Sequence, residues 1–402
     1  MTLDVAALRA QFPSLASGIA HFDGPGGTQT PAIVGQAIAA TLTGPLSNRG
    51  TGSLSERNAE EAIQAFRLAY ADLLQVPPNG IVYGRSATQI TYDFSHHLSK
   101  AWRAGDEVVV SQLDHDANVR PWIQAAERVG ATVRWLQLNP ETSELDLSDL
   151  DSVITERCRL VAVTGASNLL GTRPPVRRIA DRAHAVGALA YVDGVHYTPH
   201  TTVDVGALGA DLFVCSPYKF FGPHCAVLAA QPALLERIRP DKLLPSTDDV
   251  PERFEFGTLP YEIMAGATAA VDFIADLAPA TTGDRRARLV AANHEIDAHE
   301  HRLLLAVEDA IESWGDRVTL HSRAADRTPT LFLTFRDKRS EDGYAYLAAR
   351  DVLAPAASFY AHEAFARLGV SDSAGLRIGL APYNDDQDVD RLVTALGDFL
   401  GE

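Results

Sequence analysis

Three features of the sequence predict an α/β fold with a large, mostly parallel sheet and a smaller αβ domain. Short β-rich runs alternate with helical stretches from about residue 80 onward. Longer helical stretches and one separate short strand follow Pro260. The chain has 402 residues, too many for one small core and suited to two unequal domains.

The elements run in order. MTLDVAALRAQFPSL at the N-terminus lacks the basic start and apolar run of a signal peptide and predicts a short amphipathic helix. Ile81–Gly84 is a strand, followed by a helix from about Thr88. Strand Glu107–Ser111, a helix over about 117–130, and strand 132–138 come next. Then follow strand 160–167, a helix near 176–187, strands Leu189–Asp193 and 211–216, and a further strand at Ala226–Ala230. Such alternation implies a mostly parallel sheet with helices on both faces, whose ligands bind beyond the carboxyl ends of the strands. Helices over about 262–276 and 283–312, strand Thr330–Phe335 and a closing helix near 388–400 complete the chain. The expected division is a large domain over 21–280 and a small one made of 1–20 with 281–402.

Composition narrows the function. A formal net charge of -17 disfavours nucleic acid and anionic membrane surfaces as partners. No apolar run is long enough to span a bilayer. The three cysteines, Cys158, Cys215 and Cys225, form no CxxC pair, and their odd number argues against a disulfide framework. The cytoplasm is the expected compartment. Of 35 basic residues only four are lysines: Lys100, Lys219, Lys242 and Lys338. A lysine kept in an apolar setting invites a chemical reason, because lysine can become a neutral nucleophile whereas arginine cannot.

Three groups emerge at strand ends. Asp193 ends ALAYVDG, Ser216 and Lys219 follow DLFVC in SPYKFFGPH, and Ser86, Ala87 and Thr88 follow IVYG. Singly they read as a core aspartate, a snorkelling lysine and a helix cap. Together they supply what pyridoxal 5'-phosphate (PLP) needs. The aldehyde needs an amine for a Schiff base, the pyridine nitrogen needs a carboxylate, and the phosphate needs hydroxyls and N–H groups at a helix N-terminus.

Further segments make the likeness specific. SPYKFFGPH resembles the S-G-H-K-x-x-G-P segment of the group II cysteine desulfurases, within the class V aminotransferases. VDGVHYTPH resembles D-G-A-Q-x-x-P-H, and SQLDHDANVRPW resembles S-x-x-E-H-H-A-N-x-x-P-W. TGASNLLGT resembles T-H-x-S-N-x-x-G-T, and RFEFGTLP resembles R-F-E-x-G-T-P. GLRIGLAPYNDDQDVDRL is similar to R-x-S-x-x-x-Y-N-x-x-E-E-x-D-x-L, and HFDGPGGTQTP stands where the family has L-D-x-A-A-x-x-x-x-P. The matches cover nearly the whole chain in order.

The resemblance implies the type I PLP fold and a homodimer with active sites at the subunit interface. It implies that Lys219 holds the cofactor, His115 stacks on its ring, Asn168 bonds the ring hydroxyl and Asp193 pairs with the ring nitrogen. Ser86, Ala87, Thr88 and Ser216 would hold the phosphate, with His196 and Tyr218 beside the cofactor. Thr258, after Gly257, would reach the phosphate of the neighbouring subunit, and Arg377 would clamp the substrate carboxylate. The glycines of Asp23–Gly27 fit no dinucleotide pattern; Gly26 and Gly27 let backbone approach the substrate. HEIDAHEHR at 294–302 is HExxxH, one residue too long for a zinc site, and no metal is expected.

The departures bear on the reaction. His196 stands for the desulfurase glutamine, Tyr218 for the histidine before the lysine, and Gly165 for the histidine of T-H-x-S-N. The stretch ASFYAHEAFARLGVSDSAGLR contains no cysteine; Tyr360 or His362 stands where the desulfurases carry their nucleophile. The expected reaction is C–S β-elimination from cysteine or an S-substituted cysteine, with Lys219 as the base at Cα. The alternatives are decarboxylation with oxidative deamination, transamination or epimerisation, as in antibiotic-tailoring enzymes of this class; cysteine desulfuration ranks below them. A scaffold without turnover has no use for Lys219, Asp193 and Arg377.

Overall fold

The computed structural model describes residues 3–278, 281–370 and 372–401. Met1 and Thr2, at the start of the expected N-terminal helix, and residue 280, at the expected domain boundary, lie outside this range.

A seven-stranded sheet forms the centre. In spatial order its strands are Ile81–Gly84, Ala226–Ala230, Leu212–Cys215, Leu189–Asp193, Cys158–Thr164, Glu107–Ser111 and Thr132–Leu136. Ala226–Ala230 runs antiparallel to both neighbours, and the pairings among the last five strands are parallel. Strand alternation sends neighbouring residues to opposite faces. Val109, Val161, Val192 and Phe213 pack into one apolar cluster with the helices Leu54–Leu74 and Tyr261–Ala275. Val108, Val110, Leu160 and Val214 pack into another with Phe94 of Ala87–Ser99 and Trp122 of Arg120–Val129. Each fully buried aliphatic side chain contributes about 1.5–3 kcal/mol, which explains why these strands read as continuous apolar runs.

A second sheet of four antiparallel strands is ordered Val318–Leu320, Thr330–Phe335, Gly375–Gly379, Ala356–Ala357. Leu331, Leu333 and Phe335 join a third cluster with the helix Asp386–Leu400 and the latter part of Arg285–Ser313. Phe332, of opposite parity, packs into the first cluster instead. One strand thus faces both cores.

The N-terminal helix is Val5–Arg9, capped by Asp4. Leu8 and Phe12 enter the first cluster, and Arg9 bonds the carbonyl of Tyr383 at 2.6 Å and Asp388 at 2.7 Å. Several boundaries differ from expectation. The helix expected from 117 starts at Arg120, because Asp116–Asn118 forms a separate turn with His115 accepting from the Ala117 N–H. The strand expected to reach 167 ends at Thr164, where the Gly165 N–H turns to the Asp193 carbonyl. Two helices, Ala32–Thr43 and Leu54–Leu74, precede the first strand of the large sheet without having been foreseen.

Candidate active site

Five strands of the large sheet deliver side chains to one cavity of about 370 Å³. After Ile81–Gly84, Ser86 caps the helix Ala87–Ser99, accepting from the Gln89 N–H at 3.1 Å. The first N–H groups of that helix stay free of intrahelical partners and can receive an anion. After Glu107–Ser111, the buried Asp114 accepts from Ser111 and from the Asn118 amide, and Trp122 Nε1 donates to Asn118 at 3.0 Å. This buried chain positions His115 at the cavity wall. Burial pushes the Asp114 carboxyl up to about 8, so its acid form persists at neutral pH. Asn168 follows Cys158–Thr164, Asp193 ends Leu189–Asp193, and Ser216 and Lys219 follow Leu212–Cys215. Gly194 is required after Asp193, because a Cβ there would lie 1.9 Å from Phe213 Cζ.

Charge is held here at a cost. Lys219 is 8 % exposed, and its Nζ donates to the Pro25 carbonyl. Burial, reinforced by the charge of Arg377, lowers its pKa to about 7. Burial raises Asp193 to about 6, opposed by the Val195 N–H at 2.9 Å and by Lys219. His115 is lowered to about 4 by burial and then by Lys219, and His196 well below its ordinary value by burial. Both imidazoles are therefore neutral at pH 7. His115 Nδ1 accepts from the Ala117 N–H at 3.0 Å, which leaves the proton on Nε2.

The second sheet contributes Arg377, 3 % exposed, from the strand Gly375–Gly379. Its Nη1 donates to the Asn168 carbonyl at 2.8 Å, while Nε is buried without a partner. Nε and Nη2 share one edge of the guanidinium, the edge a carboxylate takes bidentately. Burial disfavours its charge, and Asp23 partly offsets this. Gly26 lines the cavity beside it; a Cβ at Gly26 would lie 3.6 Å from Nη2.

The structure brings together Ser86, Ala87, Thr88, His115, Asn168, Asp193, His196, Ser216, Tyr218, Lys219, Tyr360 and Arg377, all at this cavity. Gly27 lies against the Tyr218 ring, a Cβ there falling 3.2 Å from its Cδ2, and lines an adjoining groove. His362 opens the helix His362–Leu368 and is exposed, outside the cavity. Gly257 and Thr258 are exposed and do not line it either. Their segment is firmly anchored just upstream. Arg67 pairs with Glu252 at 2.6 Å and Glu255 at 2.8 Å, and Glu255 accepts from the Tyr83 N–H at 2.9 Å. Sequence reasoning missed Pro25, Asp114 and Phe359. Asp114 and Phe359 sit next to His115 and Tyr360, so adjacency was the available signal; nothing in the sequence marks the Pro25 carbonyl.

All three cysteines are buried and unpaired, and no cysteine is among the described residues that line the cavity. Burial raises the pKa of all three thiols, that of Cys158 to about 12.

The donor set fits PLP. A lysine with a lowered pKa offers a neutral amine, and a buried carboxylate with a raised pKa favours a cationic partner such as a pyridinium. Asn168 Oδ1, His196 Nδ1 and Arg377 Nε are buried without partners, and their residues all line the cavity.

Comparison with known proteins agrees. The chain matches the class V aminotransferase family over residues 20–392. It is 31 % identical to the uncharacterized protein MT3887 of Mycobacterium tuberculosis, covering 98 % of this chain and 99 % of that one. It is 30 % identical to a probable cysteine desulfurase of Vibrio cholerae, covering 98 % of each. The crystal structure of the cysteine desulfurase CsdA (S-sulfonic acid) from Escherichia coli superposes with a TM-score of 0.86 at 27 % identity, over 99 % of this chain and 98 % of that one. With the type I PLP fold and a lysine, aspartate and arginine meeting in one cavity, this chain belongs to the class V aminotransferase family and is a PLP-dependent enzyme.

Proposed function

We propose that this enzyme cleaves the Cβ–S bond of cysteine or an S-substituted L-cysteine, releasing a thiol, pyruvate and ammonium. One observation carries the reading: the cavity pairs a lysine whose pKa is lowered to about 7 with an arginine whose bidentate edge is free, and no thiol among the described residues lines it. Bound PLP supplies the electron sink for charge developing at Cα.

The chain's own residues do the rest. Ser86, Thr88, Ser216 and the first N–H groups of the helix Ala87–Ser99 take the phosphate. Asp193 would balance the ring nitrogen, Asn168 and His196 would hold the ring hydroxyl, and His115 would cover the ring face. Arg377 takes the substrate carboxylate, which sets Cα against Lys219. The neutral Lys219 amine removes the α-proton. Sulfur leaves Cβ with the bonding electron pair and takes that proton from the Lys219 ammonium. Water converts the released enamine to pyruvate and ammonium, so one substrate and one water give one thiol, one pyruvate and one ammonium.

The working unit in this reading is a homodimer. Gly257 and Thr258 are exposed and lie away from the cavity of their own chain, while Ser86 and Thr88 are exposed at its phosphate end. Three unpaired thiols suit a reducing compartment such as the cytoplasm. Incubation with S-substituted cysteines, with and without oxygen, tests the reaction. Pyruvate and thiol in equal amounts are expected, independent of oxygen. An aldehyde with carbon dioxide and oxygen uptake, or alanine with enzyme-bound sulfur, would overturn it.

A further inference from the structure

Two consecutive aromatic residues at the cavity are left-handed: Phe359 with φ 54° and Tyr360 with φ 56°. Bulky side chains adopt this region only where their surroundings impose it, and such residues cluster at ligand sites. Four contacts impose it here. The Phe359 carbonyl accepts from Asn168 Nδ2 at 2.8 Å, and the Tyr360 carbonyl from the Asp116 N–H at 2.7 Å. The Arg377 guanidinium lies over the Phe359 ring, with Cζ 3.7 Å from its centroid. The Tyr360 ring stacks on His115 with centroids 5.5 Å apart and planes 22° off parallel. The following helix is tied down as well: Glu363 pairs with Arg120 at 3.3 Å, and Arg367 Nε donates to the Leu138 carbonyl at 3.0 Å.

The two rings serve opposite ends of the cavity. Lys219, Asp193 and Arg377, each under a tenth exposed, mark its buried end. Tyr360 lines the same cavity yet is 76 % exposed, so it stands at the mouth. A substrate with its carboxylate on Arg377 and Cα at Lys219 must send any large side chain out past that ring.

We propose that Phe359 and Tyr360 determine substrate specificity: Phe359 fixes the plane of the carboxylate clamp, and Tyr360 receives a flat apolar group carried on the substrate's Cβ sulfur. The proposal rests on the reading of the substrate as an S-substituted cysteine. Tyrosine suits the place, because its ring face can be covered while its hydroxyl stays in water. A ring already fixed in place loses little freedom when a ligand covers it.

The test compares S-benzyl-L-cysteine with S-methyl-L-cysteine as ligands of the PLP-loaded protein. Dissociation constants are read from the change in cofactor absorbance on mixing, a readout independent of which bond later breaks. The parent should bind the benzyl compound about ten-fold more tightly. Tyr360→Ala should abolish that preference, weakening the benzyl compound about ten-fold more than the methyl compound, and Tyr360→Phe should preserve it. Phe359→Leu should weaken both compounds alike, since both carry the carboxylate. Equal binding of the two compounds by the parent, or equal losses for both in Tyr360→Ala, would overturn the proposal. Failure of the elimination reading shows separately, as products other than pyruvate and thiol with the binding preference intact.

Discussion

His196 Nε2 lies 2.9 Å from the Thr330 hydroxyl and 3.0 Å from that of Thr328, a contact that joins the two sheets at the cavity. These hydroxyls occupy Nε2, and the other ring nitrogen, Nδ1, is buried without a partner. Thr330→Val keeps the shape and removes one partner. It should cost about 1–2 kcal/mol of stability in denaturant titrations. It should also weaken PLP binding, measured by cofactor titration. Unchanged cofactor affinity would show that His196 is oriented without Thr330.

Lys219 should carry the cofactor. Borohydride reduction should fix PLP to Lys219, and peptide mapping to any of the other three lysines would contradict the site. Attack on the aldehyde needs the neutral amine, and the pKa of Lys219 is lowered to about 7 by burial. Loading of the cofactor-free protein should therefore accelerate as pH rises through about 7 and level off above it. A rise continuing toward pH 10 would mean that the amine keeps an ordinary pKa.

Asp193→Asn should leave the fold intact, since the side chain's Oδ1 bond to the Val195 N–H can be kept by the amide oxygen. The rate should fall by orders of magnitude as the ring nitrogen loses its anionic partner. Circular dichroism and steady-state kinetics on the same preparation check both statements.

Cys225→Ala and Arg377→Ala, assayed on one substrate, separate elimination from sulfur transfer through a thiol. Cys225 is 1 % exposed and its thiol pKa is raised by burial, so its removal should cost packing and little turnover. Arg377→Ala should raise KM and lower kcat together, since the carboxylate then neither binds nor orients well. A persulfide trapped on Cys225, with activity lost in Cys225→Ala, would restore the desulfurase reading.

The protein should be a homodimer at assay concentration by light scattering. Thr258→Ala should weaken cofactor binding without altering the monomer fold. An active, PLP-loaded monomer would contradict the dimer.

The central sheet was legible because most of its strands are buried on both faces, the edge strand Thr132–Leu136 excepted. Leu189–Asp193 and Ala226–Ala230 match expectation to the residue, as does Thr330–Phe335. Two-residue strands such as Ala20–His21 and Val352–Leu353 carry no periodicity of their own and exist only through their mutual pairing. The capping box of Ser53 and Glu56, which starts Leu54–Leu74, is written in the sequence but marks only a helix start and carries no chemistry. The site residues were legible where a motif surrounds a reactive group, as at Lys219 and Asp193. Their neighbours were not: the Pro25 carbonyl on Lys219 and the Phe359 ring under Arg377 depend on which distant segments fold together.

Lys219 follows a strand of the large sheet, whereas Arg377 lies within a strand of the second. Side chains such as Phe332 and Thr330, crossing between cores, set their spacing. Loosening that seam would separate Lys219 from Arg377 while each sheet kept its own interior. Inactivation in mild urea should therefore precede the main loss of secondary structure, and the added substrate carboxylate, by bridging the two halves, should close that gap.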